Sequence, residues 1–283
     1  MQLIAIDLDG TLLSENGTIS DENVQAIHEV QRKDDIVVIS SGRSVHDTKE
    51  ILRRAAIDCP IIAGNGAKAY DNDKLLYHLF LTSDVIGDLI EILKQQLVYF
   101  EIYTKGGILV ESQISGILER EKRGIQDLDV AIDWVDHIID MQNRQHGLLH
   151  VSNYNEIDYT DLEVYKLFVL SFEKPKRNIL QSILKNRNDI SITSSGKQKI
   201  EIAHPNANKG YGLKQMADYF NIPLKHTVAI GDNYNDVPMF SIAGMCIAME
   251  NAEDEVKQHA TYITKHHENN GVGYALRKYI LEE

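Results

Sequence analysis

Two textures of apolar and polar positions alternate along this chain. Near its start, short unbroken apolar runs, LIAID (3–7), IVVIS (36–40) and IIA (61–63), are separated by amphipathic stretches. Such runs predict strands of a parallel sheet buried on both faces, and the stretches between them predict helices from about residue 21 and about residue 44. Ser20 stands at the N-cap position of the first helix, Ile19 and Val24 occupy the positions of a hydrophobic staple, and Val24, Ile27 and Val30 form the buried stripe.

From about residue 83 the texture changes. Ser83 is expected to cap a helix whose Ile86, Leu89, Ile90, Leu93 and Leu97 recur at helical spacing. YFEIY and GILVE then flank Thr104, Lys105 and Gly106 as a hairpin, EVYKLFVLS (163–171) predicts another strand, and a helix opens near Pro175. A second hairpin is expected to pair ISITS with KIEIA across Ser195 and Gly196. Hairpins belong to antiparallel sheets, so this stretch reads as an α+β domain. Its tyrosines, Tyr99, Tyr103, Tyr154, Tyr159 and Tyr165, are best explained by packing on an amphipathic sheet.

After about residue 204 the first texture returns. A helix is expected from Lys209 to Phe220, then TVAIG (227–231), a helix ending near Gly244, MCIAM (245–249), a helix around 252–259, TYIT (261–264) and a C-terminal helix. The whole is an α/β chain with a Rossmann-like parallel sheet, residues 1–82 plus 204–283, interrupted by an inserted α+β domain at 83–203.

Composition narrows the function. With 283 residues, 43% hydrophobic and 25% charged, the chain is long enough for two cores and too apolar for disorder. Its net charge of −13 disfavours nucleic acid and anionic membrane as partners. Cys59 and Cys246 lie far apart, which argues against a disulfide framework or a structural zinc site. No apolar run reaches membrane-spanning length and no leader-like segment precedes LIAI, so a cytoplasmic protein is expected.

Open parallel sheets bind ligands at the carboxyl ends of their strands. Here those ends carry Asp7-Leu8-Asp9-Gly10-Thr11, Ser40-Ser41-Gly42-Arg43, Gly64-Asn65-Gly66-Ala67 and Gly231-Asp232-Asn233-Tyr234-Asn235-Asp236. Asp7, Asp9, Asp232 and Asp236 are thus expected on one rim. Clustered carboxylates without nearby His or Cys select Mg²⁺, which takes phosphate oxygens as further ligands. A helix N-terminus at Lys209, the Ser41 hydroxyl and the amides of Leu8 and Gly42 suit the same phosphate. The histidines suggest no metal site: consecutive His266 and His267 are expected to point apart, and Gly147 weakens any helix carrying both His146 and His150.

DLDGT (7–11), SGR (41–43), NGA (65–67), ANKG (207–210) and GDNYND (231–236) together resemble the haloacid dehalogenase superfamily, specifically its Cof-like phosphatases with a large α/β cap. The motifs keep that family's order over nearly the whole chain. The resemblance implies that Asp7 is the nucleophile and Asp9 the general acid and base. It implies a Mg²⁺ held by the Asp7 and Asp232 carboxylates and the Asp9 carbonyl. Ser41 and Lys209 match the phosphate-binding hydroxyl and lysine, although adjacent Ser40 competes for the first role. Asn235 is implied to approach the phosphoryl group, and Asp236 to orient Lys209 or a metal-bound water. Arg43 and Asn65 suit substrate contact, or equally an ion pair and a tight turn. The expected activity is phosphatase action on a small phosphorylated metabolite, a sugar phosphate or phosphorylated cofactor, through an aspartyl-phosphate. The alternatives are a phosphomutase or other phosphotransferase, or a non-enzymatic phospho-acceptor switch, which Asp9 disfavours because it is placed to hasten turnover.

Overall fold

The computed structural model describes residues 1–112, 115–124, 132–145, 147–194 and 196–281. The chain divides into two compact units, one of Met1–Leu79 with Asn206–Glu283, the other of Phe80–Pro205.

The first segment runs β1 (Leu3–Ile6), α1 (Asp21–Gln31), β2 (Ile36–Ser40), α2 (Val45–Arg54), β3 (Ile61–Ala63), β4 (Lys68–Asp71) and β5 (Lys74–His78). Ser20 caps α1 by accepting from the Asn23 amide at 3.2 Å, and Ser44 caps α2 in the same way. Ile19 and Val24 both pack against the adjoining core, as a staple requires.

The inserted unit contains α3 (Ser83–Gln95), β6 (Tyr99–Thr104), β7 (Gly107–Glu111), α4 (Ser115–Gly124), α5 (Ile132–Asn143), β8 (Leu148–Val151), β9 (Lys166–Leu170), α6 (Lys174–Leu184), β10 (Ser191–Thr193) and β11 (Lys199–Ala203). Its sheet has the order β10-β11-β9-β6-β7-β8 and is antiparallel except where β7 runs parallel to β8. Thr82, not Ser83, is the residue before α3; Ser83 is its first helical residue. The β10–β11 pairing joins Ser191 to Ala203, while Ser195 lies outside the described residues. Tyr154 is fully buried, its one hydroxyl proton shared between the Phe100 and Leu109 carbonyls at 3.0 Å each, in keeping with a packing role.

The chain then returns through α7 (Lys209–Tyr219), β12 (Thr227–Gly231), α8 (Val237–Phe240), β13 (Met245–Ala248), α9 (Asp254–Lys257), β14 (Tyr262–Ile263) and α10 (Gly271–Ala275). The first unit's sheet has the order β14-β13-β12-β1-β2-β3-β4-β5. It is parallel from β14 to β3 and ends in an antiparallel hairpin, β4–β5, that the apolar pattern does not announce. Side-chain alternation gives each face its own core. Ile4, Ile6, Val37 and Ile39 pack with α1 and α10, whereas Leu3, Ala5, Val38 and Ala229 pack with Leu213, Met216 and Ala217 of α7.

Among the described residues no helix is long and apolar enough to cross a membrane.

Candidate active site

Asp7 follows β1 with extended backbone, φ −73° and ψ 163°, and its amide donates to the Ile230 carbonyl at 3.0 Å. Its carboxylate therefore continues the alternation of β1 onto the face covered by α7. Lys209, the first residue of α7, is fully buried there and bridges two carboxylates, with Nζ 2.5 Å from Asp7 Oδ1 and 2.6 Å from Asp236 Oδ1. Asn208 starts the helix at this point by accepting from the Tyr211 amide at 2.8 Å.

Asp236 is fully engaged. Its Oδ2 accepts from the amides of Asp232 at 2.9 Å and Asn233 at 3.0 Å, closing the loop after β12. Gly231 is required for this closure: a Cβ there would stand 2.4 Å from the Asp236 carboxylate. Asp232 accepts from Thr11 Oγ1 at 2.8 Å. Gly10, at φ +77°, lets the chain turn beside it, since a Cβ would lie 2.5 Å from Asp232 Oδ2.

Three carboxylates, Asp7, Asp232 and Asp236, thus bring ligand atoms within 4.8 Å of one another. One lysine does not balance them. Burial pushes the Asp7 carboxyl well above the ordinary range; Lys209 opposes the shift, and Asp236, Asp232 and Asp9 add to it. Burial, and then Asp236, push Asp232 up to about 6. Burial works to lower the Lys209 ammonium, but Asp236 and Asp7 outweigh it and hold the group above its ordinary value. The donor set is all oxygen and carries excess negative charge, so it fits a hard divalent cation such as Mg²⁺. Of the three, Asp7 and Asp232 could hold it, because both oxygens of Asp236 are committed to Lys209 and backbone amides.

The fourth carboxylate, Asp9, is not part of this close group, although its charge acts on Asp7. Asp9 is half exposed and tied to Arg43 through Nη2–Oδ1 at 2.7 Å and Nε–Oδ2 at 2.9 Å. Strand β2 ends at Ser40, so Ser41 begins the loop; its Oγ accepts from the Arg43 amide at 3.1 Å. Asn235 donates to Asn65 Oδ1 at 3.0 Å, both residues being buried. Asn65 adopts φ +55° in the turn after β3, a conformation that Asn tolerates. A Cβ on Gly42 would lie 3.0 Å from Asn65 Oδ1, and Leu8 is buried.

Two supports were not foreseen. Asn251 Nδ2 donates to the Gly10 carbonyl at 2.8 Å, and Asn251 Oδ1 receives the His267 amide at 3.1 Å. The His266 and His267 rings do not point apart but stack, with centroids 4.6 Å apart and planes at 29°. They lie at the start of a short 3₁₀ turn, where alternation does not apply, and His267 Nδ1 is 2.8 Å from the Leu13 carbonyl. His146 lies outside the described residues.

The sequence profile of haloacid dehalogenase-like hydrolases matches residues 4–276. The chain belongs to this family. The 5-amino-6-(5-phospho-D-ribitylamino)uracil phosphatase YwtE of Bacillus subtilis (strain 168) is 35% identical over 279 residues, 97% of this chain and 96% of its own. Phosphatase YwpJ of the same organism is 30% identical, covering 98% of this chain and 99% of its own. Among solved structures, a haloacid dehalogenase-like hydrolase from B. subtilis has a TM-score of 0.86 at 29% identity, over 99% of this chain and 100% of that one. This member of the family is a phosphatase.

Proposed function

We propose that the chain is a Mg²⁺-dependent phosphatase of a small phosphorylated metabolite, with Asp7 as nucleophile. The observation that carries this reading is the buried Asp7–Lys209–Asp236 bridge, which places an oriented carboxylate beside a fixed cation at the end of β1.

In the first step an Asp7 carboxylate oxygen attacks phosphorus, the bond from phosphorus to the leaving oxygen breaks, and that oxygen takes a proton from Asp9. In the second, Asp9 takes a proton from water, the water oxygen attacks phosphorus, and the bond to Asp7 breaks to release inorganic phosphate. Lys209, the Ser41 hydroxyl, Asn235 and the amides of Leu8 and Gly42 bind the phosphoryl oxygens, and Asp236 orients Lys209. The Asp7 and Asp232 carboxylates and the Asp9 carbonyl would hold Mg²⁺, which when bound would neutralise charge on the phosphoryl group. Asn65 positions Asn235, and Arg43 holds Asp9. The inserted unit selects the leaving group.

The similarity to a 5-amino-6-(5-phospho-D-ribitylamino)uracil phosphatase over nearly the full length of both chains makes phosphorylated ribityl compounds the first substrates to test. The test is phosphate release from that compound and from a panel of sugar phosphates, in Mg²⁺ and in EDTA. Release from one compound class in Mg²⁺ alone supports the reading. No release from any member of the panel overturns it.

A further inference from the structure

Ser40 is fully buried at the last position of β2, and its Oγ has no hydrogen-bond partner among the described residues. A buried hydroxyl left unpaired destabilises a fold, whereas alanine at the same place does not. Its position gives the residue a use. Strand register pairs Ile6 with Ile39, so the next residues, Asp7 and Ser40, are neighbours across the parallel ladder, where strands lie about 4.8 Å apart. They also share a face. Ala5 and Val38, two residues before each, both pack in the core under α7.

Lys209, at the start of α7 on that face, has a complementary want. An ammonium carries three N–H donors. Asp7 and Asp236 take two of them, and among the described residues no third acceptor is in range. A spare donor and a spare acceptor thus flank the carboxylate proposed as nucleophile.

We infer that Ser40 is a positioning residue for Lys209: its hydroxyl accepts the third Lys209 N–H when Asp7 gives up its own contact to react. Lys209 then keeps two anchors, Asp236 and Ser40, while it holds the phosphoryl oxygens. The inference rests on the phosphatase reading above. It also separates the two serines, since Ser41 Oγ is engaged with the Arg43 amide in the loop and Ser40 Oγ is not.

The test uses the full chain, with Ser40→Ala and Ser40→Thr compared against wild type for thermal unfolding and for kcat and KM on p-nitrophenyl phosphate. Ser40→Ala is expected to raise Tm by about 2 °C or more, because an unpaired buried hydroxyl is removed. It is expected to lower kcat about tenfold with KM changed less than twofold, since Lys209 is misplaced only once Asp7 has let go. Ser40→Thr keeps the hydroxyl and is expected to recover most of the lost kcat. A raised Tm with kcat within twofold of wild type overturns the positioning role. So does a lowered Tm, which would show the hydroxyl to be paired. If wild type itself hydrolyses no phosphate ester, the phosphatase reading fails; if wild type is active and Ser40→Ala equally so, only the role of Ser40 fails.

Discussion

Arg43 grips Asp9 with a fork, Nη2 at 2.7 Å from Oδ1 and Nε at 2.9 Å from Oδ2, and so joins the loops that follow β2 and β1. Two parallel hydrogen bonds fix the plane of the carboxylate, which a single point charge would leave free to turn. The group proposed to move protons is therefore oriented before substrate arrives. Asp9→Asn is expected to lower kcat/KM, which reports the first step, by about 10²–10⁴-fold on an alkyl phosphate, whose leaving oxygen needs a proton. It should lower kcat/KM much less on p-nitrophenyl phosphate, whose leaving group needs none, while kcat falls on both because release of the phosphoryl group is slowed. Arg43→Lys keeps the charge and loses the fork, so it should give a smaller loss that adds little to Asp9→Asn in the double variant. Equal losses of kcat/KM on the two substrates would contradict the proton-transfer role.

Asp232 makes stability depend on pH in a direction opposite to most carboxylates. Burial and Asp236 push its carboxyl from 3.8 up to about 6, so the folded protein binds this proton more tightly than the unfolded chain. The stabilisation is fully present below pH 3.8 and is lost as pH rises through about 6. In EDTA, Asp232→Asn is thus expected to be more stable than wild type at pH 7.5, by about 1–2 kcal/mol. The gap should close towards pH 4. Mg²⁺ should stabilise wild type and not the variant. Urea unfolding at pH 4.5 and 7.5, with and without Mg²⁺, measures all of this, and a variant less stable than wild type at pH 7.5 in EDTA would contradict it.

Most of the site was legible because the chemistry sits where the apolar runs stop. Asp7, Ser41 and Asp232 each follow or end such a run, and Lys209 opens a helix whose buried stripe is plain. What the sequence did not disclose depends on contacts between distant segments. Asn251 supports the Gly10 carbonyl across 241 positions, and nothing local to either residue signals it. The β4–β5 hairpin is short, and Asp71, Asn72, Asp73 and Lys74 break its apolar pattern. Thr82 and Ser83 are both hydroxyl residues, so choosing the helix start needs the backbone angles. The stacking of His266 on His267 follows from a turn in which alternation has no force. Ser40 and Ser41 differ only in where β2 ends, and strand ends are the least certain feature of an apolar pattern.

The central claim is that Asp7 carries the phosphoryl group between substrate and water. Rapid acid quench of the Asp9→Asn variant during turnover of p-nitrophenyl phosphate, followed by peptide mass spectrometry, tests it most directly, because the variant should release the group slowly enough for it to accumulate. The account predicts a phosphoryl group on the peptide that contains Asp7, appearing with the first turnover and absent when Mg²⁺ is withheld. A phosphoryl group on any other residue, or product formed with no phosphorylated peptide at any time, would contradict it.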